Sequence, residues 1–338
     1  MEQKFVVGID IGGTNTVIGI VDAHGTVLVS TSMPTQEHER FEDYISEIHR
    51  RTTALAEAVG VTGRIAGIGV GAPNASYYSG CIENASNLRW SGSLPLCKLL
   101  SEKFGLPAAC TNDANAAAIG EMTYGAARGM KNFIMITLGT GVGSGIVVNG
   151  QILYGHDGFA GELGHTTSKA VNGRLCTCGR TGCLECYCSA SGVSRTAREW
   201  LEIRSDDSML RNLPIDSITS KDVYTAAING DRLACEIFEY TGTILGTAFA
   251  EFITFSAPEA IILFGGLSKS GNLLLDPIKK AMEENVLFLW KNKVKVLLSG
   301  LKDADAAVLG ASALGWDSSR RNNHQISDSY ETYHTTRL

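Results

Sequence analysis

The chain has 338 residues, 44% of them hydrophobic, and 38 glycines, so it is globular, rich in tight turns and long enough for two domains. A net charge of −6 and a pI near 5.7 exclude a nucleic-acid partner held by phosphate neutralisation. No secretory leader and no apolar run of membrane-spanning length is legible, so a cytoplasmic protein is expected, with reduced thiols and no disulfide framework among its nine cysteines.

Residues 5–28 read as an apolar strand, a Gly-rich turn, a second strand, a polar turn at Asp22–Gly25 and a third strand. Apolar residues at helical spacing over 44–60 predict a helix ending at Gly60, and 65–73 reads as a buried strand running into a turn. The stretch "TNDANAAAIGE" sets Asn112 and Asp113 ahead of an alanine-rich helix over 113–127. Residues 133–153 then repeat the opening unit. Aligned on the turns, Asp10 falls on Thr137, Gly12 on Gly139 and Thr14 on Gly141, while Asp22–Gly25 nearly coincides with Asn149–Gly150. Two copies of one unit predict two similar α/β lobes with a ligand cleft between them. Beyond the cysteine-rich stretch 176–188 the pattern is mainly helical, including 232–255. Residues 259–271 then read as a strand, a turn at Gly265–Gly266 and a helix. The polar, aperiodic residues 317–338 read as a disordered tail.

The two glycine turns carry the first chemical signal. Glycines between strands let backbone N–H groups approach a phosphate without obstruction from Cβ atoms. "DIGGTNT" offers Gly12, Gly13 and Thr14, and "GTGVGSG" offers Thr140 and Gly141. Asp10, just before the first turn, is placed to hold Mg²⁺ through water. No G-x-x-x-x-G-K-[ST] occurs, which excludes a P-loop enzyme. A strand follows "GTGVGSG" where a dinucleotide-binding fold needs a helix. The third turn, Gly265–Gly266, suits the flat approach of a nucleoside. Asp113 is both a helix cap and a candidate base for a hydroxyl proton in phosphoryl transfer, and the helix N-terminus is expected to keep it ionised.

His165, Cys176, Cys178 and Cys183 form H-x10-C-x-C-x4-C, one imidazole and three thiolates, the donor set of a closed tetrahedral zinc site. Gly179 and Gly182 let the loop turn tightly. An iron–sulfur cluster would more naturally recruit four cysteines, and Cys186 and Cys188 are near enough in sequence to supply one. Cys81, Cys97, Cys110 and Cys235 are expected to pack as small apolar residues. A metal here would act as a scaffold. It would fix Glu162 and Glu185 as acceptors for a sugar's vicinal hydroxyls, with His165 bridging metal and sugar.

In order, the motifs "DIGGTNT", "NDANAAA", "LGTGVGSGIVVNGQIL", "GELGH", "CTCGRTGCLE" and "LFGGLS" resemble the ROK family (repressors, open reading frames and kinases) of the sugar kinase/Hsp70/actin superfamily, over roughly 4–316. The resemblance implies an α/β, two-lobed actin-like ATPase fold with duplicated ribonuclease H-like domains. It further implies a smaller lobe over 1–112, a larger lobe over 113–302 with a zinc loop at 165–188, a helix at 303–316 returning to the first lobe, and the tail from 317. ATP-dependent phosphorylation of a hexose 6-hydroxyl is implied, with Asp113 as base and Gly71, Asn112, Asp113, Glu162, His165 and Glu185 on the sugar. Asp10, Gly12, Gly13, Thr14, Thr140, Gly141, Gly265 and Gly266 would serve Mg²⁺ and ATP, and His165, Cys176, Cys178 and Cys183 would serve Zn²⁺. Of these, Gly71 comes from the resemblance alone. The "NL-x-W" stretch resembles the family's glucokinases, so glucose is the expected acceptor, with N-acetylglucosamine, N-acetylmannosamine, mannose and fructose as alternatives. A sugar-sensing repressor without its DNA-binding domain is the remote alternative, since about four residues precede the first strand. The family also implies a homodimer or dimer of dimers, with neither nucleic acid nor membrane as partner.

Overall fold

Short apolar runs rich in β-branched residues build two five-stranded sheets, one in each of two units of the computed structural model, which describes residues 3–85, 87–301 and 306–319. In the first unit, β1 (Phe5–Ile11), β2 (Asn15–Val21) and β3 (Val27–Pro34) form an antiparallel meander. Helix α1 (Phe41–Ala58) leads to β4 (Ile65–Gly71), which lies parallel to β1. A small hairpin of β5 (Ile82–Glu83) and β6 (Ser93–Leu94) and helix α2 (Leu96–Phe104) precede β7 (Ala108–Thr111), parallel to β4. The sheet order is β3-β2-β1-β4-β7. Helix α3 (Asp113–Tyr124) follows directly.

The second unit repeats that order and those directions as β10-β9-β8-β11-β12, from β8 (Phe133–Leu138), β9 (Val142–Val148), β10 (Gln151–Ile152), β11 (Ala260–Phe264) and β12 (Lys295–Leu298). Its helices are α4 (Glu185–Cys188), α5 (Ala190–Ile203), α6 (Ser220–Ile228), α7 (Arg232–Ser256) and α8 (Asn272–Asn285). The repeat is therefore structural as well as sequential. In register, Asp10 pairs with Val17 one step before the end of its ladder, and Thr137 pairs with Gly143 at the same step.

Each unit has its own core. In the first, Ile9, Ile18, Ile68 and Val70 pack with Tyr44 and Ile48 of α1. On the opposite face, helix α9 (306–319) lies against strand backbone. A Cβ at Gly8 would stand 2.2 Å from Val308 O, and one at Gly69 1.8 Å from Ala311 O. In the second, Ile134, Ile136, Ile261 and Leu263 pack with Leu245 and Phe249 of α7. Among the described residues no helix is long and apolar enough to cross a membrane.

The division differs from the sequence expectation. The first unit runs to Gly129, takes in Tyr154–Ala160 and resumes at Gly300, so α3 belongs with it rather than with the larger lobe. The reason is close packing: a Cβ at Gly120 would lie 2.9 Å from Gly310 Cα of α9. Helix α3 also stops at Tyr124, short of 127. There the buried Glu121 carboxylate accepts Ala126 N–H at 2.6 Å and occupies the space beside Gly125. Helix α9 continues to 319, through the start of the expected tail. Residues 303–305 of the returning segment and 320–338 of the tail lie outside the described residues.

Candidate active site

In the first unit the chemistry gathers at the C-terminal ends of three parallel neighbours. Register sets Asp10 of β1 beside Gly71 of β4, and Gly71 beside Thr111 of β7, so Asn112 and Asp113 arrive on the same edge. That edge is the usual ligand side of a parallel sheet. A Cβ at Gly71 would stand 3.2 Å from Ala116 Cβ, 3.7 Å from Asp10 Oδ1 and 3.8 Å from Asp113 Cα. Two carboxylates thus flank one glycine. Burial pushes Asp10 up to about 6, and the charge of Asp113 adds to the rise.

Asn112 caps α3, its side chain accepting Asn115 N–H at 2.7 Å. Asp113 Oδ1 accepts Ala114 N–H at 2.8 Å. Water reaches the Asp113 surface, but protein closes around it on most sides, and that dehydration raises its carboxyl above the usual range. The helix terminus acts on Asp113 in the expected direction, against that burial. Backbone N–H groups of Ala114 and Asp113 do pull the pKa down, and dehydration outweighs them.

The first glycine turn closes with Gly12 N–H on Asn15 O at 2.9 Å. Thr35 holds it from behind, its hydroxyl donating to Gly12 O at 2.7 Å and its N–H to Thr14 O at 2.9 Å. Beneath them, the buried Thr16 hydroxyl shares hydrogen bonds with Thr35 (2.9 Å) and Tyr44 (2.6 Å). Thr14 is exposed.

In the second unit Gly139 N–H reaches Gly141 O at 3.1 Å, a turn one residue shorter, with Thr140 exposed. Gly265 has φ +100°, and a Cβ there would lie 2.5 Å from Leu138 O. The Gly265–Gly266 turn therefore sits directly against the last residue of β8, just before the second glycine turn. Ala190 N–H, at the start of α5, donates to Gly139 O at 2.8 Å.

Glu162 and His165 bracket a single 3-10 turn docked on β9. Leu163 N–H donates to Ser144 Oγ at 3.0 Å, Ser144 Oγ donates to Gly161 O, and a Cβ at Gly164 would fall 2.0 Å from Val142 O. One ring nitrogen of His165 and the sulfurs of Cys176, Cys178 and Cys183 all lie within 4.8 Å of one another. The Cys178–Cys183 sulfurs are 3.7 Å apart and Cys176 Sγ is 3.7 Å from His165 Nδ1. A zinc tetrahedron with bonds of about 2.3 Å has edges of about 3.8 Å. The set therefore fits the ion. Among the described residues Cys186 and Cys188 stand outside this group, Cys188 buried with its thiol on Thr241 O, so no fourth thiolate is supplied. Backbone N–H from Arg180 lowers the Cys178 thiol.

The loop is tied at its base. Gly179 and Gly182 adopt φ of +86° and +80°, as tight turning requires. Gly182 N–H donates to Arg174 O at 2.8 Å, and the buried Arg174 guanidinium reaches Glu199, Thr196 and Cys186 O. Sequence reasoning missed Arg174, although its place two residues before Cys176 was a usable signal. The loop also delivers Glu185. Cys176 donates to Glu185 Oε1 at 3.0 Å, and Oε2 lies 2.7 Å from the Cβ position of Gly141 and accepts Val142 N–H at 3.4 Å. In this unit the donor cluster, one acidic acceptor and the second glycine turn are contiguous.

The ROK family model matches residues 6–317. A glucokinase of Halalkalibacterium halodurans is 37% identical over 326 residues, 94% of this chain and 95% of that protein. A glucokinase of Thermotoga maritima is 31% identical over 317 residues, 93% and 98% of the two chains. Among solved structures, a ROK family glucokinase from Streptomyces griseus in complex with glucose and AMPPNP aligns with a TM-score of 0.75 and 31% identity, over 93% of this chain and 99% of that one. With its duplicated α/β sheets and its motifs in order, the chain belongs to the ROK family.

Proposed function

We propose that this protein is an ATP-dependent glucokinase that transfers the γ-phosphoryl group to the 6-hydroxyl of glucose. The observation that carries the reading is the pair of carboxylates, Asp10 and Asp113, that flank Gly71 beside a glycine turn at the C-terminal edge of the first sheet. Asp113 accepts the hydroxyl proton through Oδ2, while Oδ1 stays on Ala114 N–H. Gly71, Asn112, Glu162, His165 and Glu185 orient the sugar. Gly12, Gly13, Thr14, Thr140 and Gly141 hold phosphates through backbone and hydroxyl groups, and Gly265–Gly266 lies under the nucleoside. Asp10 anchors Mg²⁺ brought with ATP, which supplies charge neutralisation for the phosphates. Bound by His165, Cys176, Cys178 and Cys183, zinc supplies a cross-link that keeps Glu185 and His165 in place.

The test is a hexose panel with ATP, read as kcat/KM from product formation. Glucose is expected to lead over mannose, fructose, N-acetylglucosamine and N-acetylmannosamine. A clear preference for an N-acetylated sugar overturns the choice of substrate, and no turnover of any hexose overturns the kinase reading.

A further inference from the structure

The residues assigned above to phosphates include no cation, while two carboxylates stand beside the first glycine turn. A transferring phosphoryl group spreads negative charge over its oxygens, and positioned positive groups there account for a large share of catalysis. The first turn is tied to such a group. Gln36 Nε2 donates to Gly13 O at 2.5 Å and to Asn87 O at 3.0 Å. Arg89 Nη1 donates to Gln36 O at 2.8 Å. Asn87 itself lies against the turn, for a Cβ at Gly13 would stand 3.1 Å from Asn87 O and 3.3 Å from Asn87 Nδ2.

The segment bearing Arg89 is held on both sides. Leu88 and Trp90 are buried, Trp90 packs on Phe41 and Tyr44, and its indole N–H donates to Glu39 O at 3.1 Å. The exposed side chain between them is directed away from the core, with its root fixed. Among the described residues no carboxylate pairs with Arg89. A guanidinium has five N–H donors, so one bond to Gln36 O leaves donors in a planar fork suited to phosphate oxygens.

We propose that Arg89 is a further phosphate-binding residue of the reaction, reaching the terminal phosphate of the nucleoside triphosphate at the Gly12–Thr14 turn. Gln36 is its positioning residue: the Gln36 main-chain carbonyl takes Arg89, and the Gln36 side chain ties that carbonyl to the turn. The inference rests on the kinase reading above.

The experiment compares Arg89→Ala, Arg89→Lys and Gln36→Ala with the wild-type full chain. It measures kcat, KM for MgATP, glucose affinity without nucleotide, thermal unfolding, and activity with added guanidinium. Arg89→Ala is expected to lose about 100-fold in kcat/KM for MgATP. Glucose affinity and the unfolding midpoint stay at wild-type values, and low guanidinium restores part of the variant's activity without raising the wild type's. Arg89→Lys keeps the charge without the fork and falls between, and Gln36→Ala raises KM for MgATP more than it lowers kcat. A kcat/KM for Arg89→Ala within about twofold of wild type overturns the proposal. So does a loss shared equally by glucose affinity and unresponsive to guanidinium, the mark of a structural role. A wild type inactive on every hexose defeats the kinase reading instead, whereas an active wild type with an indifferent Arg89→Ala defeats only this proposal.

Discussion

Replacing Asp113 with Asn removes the proposed proton acceptor while leaving its surroundings in place. Oδ1 already accepts Ala114 N–H at 2.8 Å, and an amide oxygen takes the same bond. Asn112, not Asp113, caps α3, so the helix start is retained. Only the second oxygen changes, from acceptor to NH₂ donor. A positioned general base contributes about 10²–10⁴-fold, which is roughly 3–5 kcal/mol of activation free energy. Burial raises the Asp113 carboxyl, which is the direction a general base needs, and the loss in kcat should fall within that span. Glucose affinity measured calorimetrically should stay close to wild type. A second signature comes from Asp10, whose pKa is raised partly by the charge of Asp113. In the variant that contribution vanishes and Asp10 titrates at lower pH. Turnover within about tenfold of wild type, with sugar binding intact, would refute Asp113 as the base.

The acid limb of the wild-type pH profile offers a separate check. Asp10 must be ionised to serve the nucleotide-borne cation, so kcat/KM for MgATP at limiting Mg²⁺ should fall as pH drops through about 6. Divalent cation favours the carboxylate, so excess Mg²⁺ should move the limb to lower pH. The linkage for folding runs the other way. A carboxyl raised in the folded state costs stability once ionised, so by this group the metal-free fold is relieved as pH falls through 6 and penalised above it. An acid limb in the ordinary carboxylate range and indifferent to Mg²⁺ would count against this. Removing zinc tests the scaffold: a chelator or Cys183→Ala should abolish stoichiometric zinc and open residues 166–182 to proteolysis. Glucose kcat/KM should fall about 100-fold, since a misplacement near 1 Å is worth that much. Metal-free protein that still turns over glucose at the wild-type rate would mean that Glu185 and His165 need no clamp.

Short-range pattern made much of this protein legible. Apolar strand runs and two glycine turns at matching places pointed to the duplication from sequence, and the order β3-β2-β1-β4-β7 recurs as β10-β9-β8-β11-β12. The spacing of His165, Cys176, Cys178 and Cys183 likewise named a four-donor set that the fold brings within 4.8 Å. Those features depend on residues close in sequence, whose turn chemistry and periodicity act locally. Other features depend on which strands become neighbours. Asp10 and Asp113 meet only because β4 lies between β1 and β7. Their raised pKa values follow from the protein around them, which no helix-terminus argument supplies. Glu185 against Gly141 and the Gln36–Arg89 tether are likewise contacts across long stretches of chain. The amino-acid sequence alone determined the repeated architecture and the residue types available for chemistry. Tertiary structure decided their electrostatics and partners, because dehydration and long-range hydrogen bonding are properties of a neighbourhood that exists only once the chain has folded.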